Sequence, residues 1–214
     1  MPLRRSAFTR NFAPLALLVL ALGLSACAGG SKPGALFAPN TPQTSISANS
    51  NLREAVGVGQ VSGRLETDPA MKAMNVIMMG PLALVDTDIP NSDLAEALRL
   101  SLSARTMLAS RDERFRVEAS LIELKQPIMG FDVTVTSKVR YRLTRLSDNA
   151  IIFEREITAP FTAAFSSSLL GVERLKLANE GSIRENISQF IAALIAAEAE
   201  NPAAFGRASR PRTS

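Results

Sequence analysis

Histidine and tryptophan are absent from the 214 residues, and cysteine and tyrosine occur once each. Without histidine there is no serine–histidine or cysteine–histidine nucleophile, no imidazole acid–base catalysis and none of the common zinc sites. A single cysteine excludes an intrachain disulfide framework and a multi-cysteine metal cluster. Long apolar runs are scarce too. The stretch Phe12 to Leu24 has 13 residues, short of the ~20 that a transmembrane helix needs. The composition, 46% apolar and 21% charged, is that of a globular domain large enough to bury a core.

The N-terminus carries an export pattern. Arg4, Arg5 and Arg10 precede the apolar run with no acidic residue near them, and Leu24-Ser25-Ala26-Cys27 closes it. These four residues resemble the lipobox of bacterial lipoproteins; the alternative is an ordinary secretory signal followed by a chance cysteine. The resemblance implies cleavage between Ala26 and Cys27, two acyl chains on the Cys27 sulfur and a third on the new amine. Several acyl chains exceed the two-signal threshold for stable anchoring. Ala28 and Gly29 follow the cysteine with no aspartate, which resembles lipoproteins passed to the outer membrane. The expected location is therefore the outer membrane, lipid-anchored and facing the periplasm.

Four segments follow from this reading: a signal peptide at 1–26, the acylated cysteine and a Gly/Pro/Ser/Asn/Thr-rich tether at 27–52, a domain at 53–200, and a basic tail at 201–214 expected to be disordered. The net charge of +4 dissolves under this division. Signal and tail hold three arginines each and no acidic residue, leaving 18 basic against 20 acidic residues elsewhere. A slightly acidic domain does not suit nucleic acid.

Within the domain, Asp132–Leu146 alternates with period two. Val133, Val135, Val139, Tyr141 and Leu143 share one face; Thr134, Thr136, Lys138, Arg140, Arg142 and Thr144 share the other. Phe115–Leu121 alternates likewise, and Ile151, Phe153, Ile157 and Phe161 mark a third strand. A three-residue loop Ser147-Asp148-Asn149, with Asn149 left-handed, sets Leu143 opposite Phe153, Val139 opposite Ile157 and Val135 opposite Phe161. It also sets Arg155 opposite Tyr141, Arg142 opposite Glu154 and Arg140 opposite Glu156. Pro160 suggests an edge strand or a bulge. Helices are expected from a cap at Asn91-Ser92-Asp93 to about Leu108, and from Val172 to Glu198 with Ile183, Ile187, Phe190, Ile191 and Leu194 on one stripe. Gly181 interrupts the second helix and marks a kink or a close contact. Ala55–Leu65 and Pro81–Asp86 read as strands. The expected fold is α+β: two layers, a mainly antiparallel sheet ending in a three-strand meander, and two main helices on one face.

Chain direction brings the loops 125–130 and 166–171 to the same end of the sheet. They carry Ile128, Met129 and Phe131, and Leu169 and Leu170 beside Phe165. Such a group is either a contact patch for a lipid or partner or a cap over that end of the core. Met71, Met74, Met78 and Met79 are either an adaptable apolar surface or core filling. Asp86, Asp88 and Asp93 do not make a calcium loop, because Pro90 takes a ligand position and no glutamate closes it. Ser166-Ser167-Ser168 has no identifiable base. The charges of Glu173-Arg174 and Ala178-Asn179-Glu180 read as a solvated helix face. No metal or cofactor site is expected.

The order strand, helix, antiparallel meander, helix on a tethered chain resembles small outer-membrane lipoproteins of Gram-negative bacteria. These include the lipopolysaccharide-assembly lipoprotein and the auxiliary lipoproteins of ABC-type lipid transporters. Gly130-Phe131-Asp132-Val133-Thr134-Val135 and Arg174-Leu175, with Ala178-Asn179-Glu180-Gly181 and Arg184-Glu185-Asn186-Ile187, resemble a family of small proteobacterial lipoproteins without an assigned activity. The resemblance implies a non-enzymatic accessory of envelope assembly or lipid transport, anchored through Cys27 with an envelope protein or lipid as partner. The competing readings are a structural or stress-related lipoprotein and an envelope enzyme. For the enzyme, neither hexapeptide repeats nor a hydrolase's cysteine, histidine or carboxylate pair is present.

Overall fold

The computed structural model describes residues 45–63, 89–127 and 131–206. Alternating apolar and polar side chains build four strands: β1 (Val56–Ser62), β2 (Phe115–Lys125), β3 (Val133–Arg145) and β4 (Ala150–Ala163). They form one sheet in the order β1-β2-β3-β4. Strands β2, β3 and β4 make the expected antiparallel meander, while β1 joins β2 in parallel. Helix α1 (Asn91–Ala104) packs beside β1, and α2 (Gly171–Glu200) crosses β3 and β4. A 3₁₀ turn at Phe165–Ser167 precedes α2, and a short helix α3 (Pro202–Phe205) follows it. The fold is α+β, with helices on the apolar face of a mixed sheet.

The predicted β3–β4 register holds. Val135 pairs with Phe161, Val139 with Ile157, Tyr141 with Arg155 and Leu143 with Phe153. On the outer face Arg140 reaches Glu156 at 2.6 Å and Arg142 reaches Glu154 at 3.1 Å. The turn itself differs from the expectation. Arg145 pairs with Ala150 across a four-residue turn, and a bulge beside Leu143 restores the register. Asn149 is left-handed at φ 56°, and Asp148 accepts from the guanidinium of Arg145 and the amide of Ala150. The bulge turns Ile151 outward opposite Thr144, so Ile151 is exposed rather than on the apolar face. Pro160 lies on an edge strand, where its missing donor costs no ladder bond.

The main core gathers Phe115, Val117, Val139, Tyr141 and Leu143 from the sheet, Leu94, Leu98 and Leu102 from α1, and Ile183, Ile187, Phe190, Ile191 and Leu194 from α2. Tyr141 and Phe190 stack at 4.1 Å. A smaller cluster of Val133, Val135, Ala163 and Ala178 lies toward the other end. Between them sits a buried polar seam. Ser182 Oγ accepts from the Ser137 amide at 2.9 Å and lies 2.7 Å from the Ala159 carbonyl, to which it can donate. Asn186 Nδ2 donates to the Ile157 carbonyl at 2.9 Å, and its Oδ1 accepts from the Tyr141 hydroxyl at 2.9 Å. Burial pushes the Tyr141 phenol strongly upward, so it stays a donor.

Several expectations are corrected. The α1 cap is Pro90, with extended backbone and no side-chain cap bond; proline suits this place because the first helical turn leaves amides unbonded anyway. The helix stops at Ala104, because Thr106 turns left-handed at φ 61° and Leu108 bridges to Val56. The domain starts before residue 53: Ile46 and Leu52 are buried, and Ser50 and Asn51 bond the Glu198 carboxylate. It also runs past residue 200, because Phe205 is buried against Phe115 with ring centroids 6.1 Å apart. The face carrying Arg174, Asn179 and Glu180 is not solvated; all three are buried. The methionines 71–79, the strand expected at 81–86, and Asp86 and Asp88 lie outside the described residues.

Candidate functional site

Strands β2 and β4 end, and β3 begins, at one end of the sheet, where Lys125 pairs with Thr136 and Val133 with Ala163. At this end the Phe131 and Phe165 rings meet edge to face at 5.8 Å. The large apolar side chains described at this end stand outside the core. Phe131 is 81% exposed, Leu169 82% and Leu170 62%, and Phe165 is also exposed. Each large apolar side chain left in water forgoes about 1.5–3 kcal/mol of burial. Ile128 and Met129 lie outside the described residues, as do Ala26 and Cys27.

The exposed side chains ride on a fixed frame. Asp132 Oδ1 accepts from the Phe165 amide at 2.8 Å, which ties the start of β3 to the loop after β4. Ser168 Oγ accepts from the Leu170 amide and donates to Glu173 Oε2 at 2.5 Å. Arg174, 6% exposed, lies over the Phe165 ring at 4.9 Å and donates through Nη1 to the Ser168 carbonyl at 2.6 Å. Nearly two turns further, burial raises the Glu180 carboxyl above its ordinary value, against the opposing pull of Lys176 and Arg184.

Phe131, Leu169 and Leu170, expected at this end, are exposed there, and the buried Arg174 beside them was not expected. A lone arginine in a charged helical turn carries no sign of its burial. The signal that existed was the small, turn-forming Ser166-Ser167-Ser168 run just before the helix, which folds back beneath it.

At the opposite end, a cleft of about 500 Å³ lies between Ile46, Arg105, Ile195 and Glu198. The Glu198 carboxylate there is already bonded to Ser50 and Asn51, which fits a structural clasp. Among the described residues, no three acidic or cysteine side chains converge as for a metal ion. No helix among them is long and apolar enough to cross a membrane. What the apolar end can do chemically is bind an apolar or amphipathic surface.

No protein-family model matches the sequence, and no curated protein does. Solved structures do match. The chain is similar to protein XCC0632 from Xanthomonas campestris, of the family DUF330, at 12% identity and TM-score 0.54, over 77% of this chain and 97% of that one. It also matches CT253 from Chlamydia trachomatis (13%, TM-score 0.45, 70% and 99% covered) and a minor lipoprotein from Acinetobacter baumannii (14%, TM-score 0.40, 68% and 94% covered). The chain thus shares its fold with XCC0632.

Proposed function

We propose that the chain is a non-enzymatic, lipid-anchored accessory protein of the cell envelope. In this reading it acts in envelope assembly or lipid transport from the periplasmic side of the outer membrane, with Cys27 as its anchor. The observation that carries the reading is the exposed apolar end: Phe131, Leu169 and Leu170 stand in water on loops fastened by hydrogen bonds. Soluble monomers rarely keep such a group without a binding use. Lipid transport and lipopolysaccharide assembly, the roles of the lipoproteins the sequence resembles, both need a surface ready for amphipathic molecules.

The test uses the full chain in native envelope, with a photo-crosslinking residue at Phe131, Leu169 or Leu170. A defined lipid or protein adduct is expected at these positions and not at exposed Glu154 on the sheet's outer face. Leu169→Ser with Leu170→Ser should abolish the adduct and shift Tm by no more than a few degrees. A large loss of Tm, or no adduct at any of the three positions, overturns the reading.

A further inference from the structure

The N-terminus of α2, whose first turn carries Glu173, lies within the apolar end, and two features there offer donors to an anion. The first is the helix itself. Thirty residues of aligned peptide dipoles end at Gly171 with no side-chain cap, and the first-turn amides of Gly171, Val172 and Glu173 have no acceptor among the described residues. The second is Arg174. The residue is 6% exposed, yet it makes no ion pair among the described residues. Only Nη1 is bonded, to the Ser168 carbonyl; Nε is buried with no partner. The side chain turns back along the helix start, with Nη2 3.7 Å from where a Gly171 Cβ would sit. A buried guanidinium beside a positive helix end is doubly unfavourable unless an anion joins them.

We infer that Arg174 and the first-turn amides of α2 bind the phosphate of an anionic phospholipid headgroup, with Leu169, Leu170 and Phe131 against its acyl chains. The inference rests on the reading of the apolar end as a contact surface. The adjoining side chains favour a lipid over a free phosphate, because the guanidinium charge suits the phosphate of either while the exposed leucines and phenylalanine match only the chains. One group opposes the anion: the Glu173 carboxylate, held on Ser168 Oγ in the same turn. Its removal therefore acts in the opposite sense to removal of Arg174.

The full chain in non-ionic detergent, examined by native mass spectrometry with added phosphatidylglycerol, tests this. Diacylglycerol supplies chains without phosphate, and glycerol 3-phosphate supplies phosphate without chains. One phosphatidylglycerol is expected to bind. Arg174→Met should weaken it at least about tenfold, Glu173→Gln should strengthen it two- to threefold, and Leu169→Ser with Leu170→Ser should weaken it. Diacylglycerol retention should not respond to Arg174→Met. Glu173 is exposed, so its variant keeps the test informative if Arg174→Met fails to fold. Unchanged phosphatidylglycerol binding in both Arg174→Met and Glu173→Gln overturns the inference. Glycerol 3-phosphate binding as tightly as the lipid, with no effect of the leucine variants, overturns the lipid source. If the crosslinks at Leu169 and Leu170 persist while Arg174→Met is without effect, the headgroup site falls and the contact surface stands.

Discussion

Gly181 faces Phe161 so closely that a Cβ would overlap the ring. Two effects of Gly181→Ala therefore compete. Alanine gains about 1 kcal/mol in a helix interior, while overpacking costs about 1–3 kcal/mol. The clash prevails because the nearest ring atoms belong to the attached side of Phe161, which cannot swing clear as a flexible tip could. Gly181→Ala should destabilise by about 0–2 kcal/mol, and the same change in a Phe161→Ala background should stabilise by up to about 1 kcal/mol. Urea denaturation of the four proteins reads this reversal of sign. Glu180 gives a second residue-scale test, one of pH. Desolvation raises its folded-state pKa, so the folded chain holds a proton that the unfolded chain has lost. Between the ordinary carboxylate value and the raised one, stability falls as pH rises. Glu156, lowered by Lys138 and Arg140, and Asp148, lowered by Arg145, act in the opposite sense and lose their contributions on acidification. Glu180→Gln should melt at or above the parent temperature at neutral pH, with the difference closing as the pH is lowered through that window.

At the scale of elements, α3 decides where the domain ends. Phe205 is buried on Phe115, and Arg145 Nη1 donates to the Ala204 carbonyl at 2.8 Å, so this turn closes the core at the end where β3 finishes and β4 begins. Phe205→Ala should cost about 3–5 kcal/mol, lowering the urea midpoint with little change in slope. A midpoint that does not move would return residues 201–206 to a dispensable tail. Sequence alone misplaced this boundary because arginines and prolines around a single phenylalanine look like any polar tail; burial depends on a partner about 90 residues away. The β3–β4 register, by contrast, was legible, since a slip of one residue would set Glu154 against Leu143. The compensating bulge was not, because a longer turn with a bulge and a shorter turn without one give the same pairs beyond Leu143. The seam of Ser137, Ser182 and Asn186 left a trace that could have been read. Ser137 breaks the apolar alternation between Val135 and Val139, and Ser182 and Asn186 break the helical stripe four residues apart. Polar residues on two apolar faces at matching heights point to each other across a core. The exposure of Phe131, Leu169 and Leu170 and the burial of Arg174 depend on packing that no local pattern encodes.

The whole molecule is polarised along α2, whose 30 residues rise about 45 Å. At its C-terminal end, Ser50 and Asn51 clasp Glu198 where the chain enters the domain; at its N-terminal end stand the exposed leucines and Arg174. Two separate attachments to lipid are thereby proposed, acyl chains on Cys27 and a weaker one through the apolar end, and their strengths differ enough to separate. Several acyl chains hold a protein on a bilayer, whereas a single short apolar contact is worth about one myristoyl chain, an association constant of roughly 10⁴ M⁻¹. Cys27→Ala should therefore move most of the protein out of the membrane fraction. A minor part should still sediment with phosphatidylglycerol-containing vesicles, and adding Leu169→Ser and Leu170→Ser should remove it. The leucine changes alone should leave fractionation unaltered, because the anchor dominates. Sedimentation of the four full-length proteins with vesicles measures all of this. Full membrane retention by Cys27→Ala would show that the cysteine is not the principal anchor, and a residue of binding that survives the leucine changes would place the second contact elsewhere on the molecule.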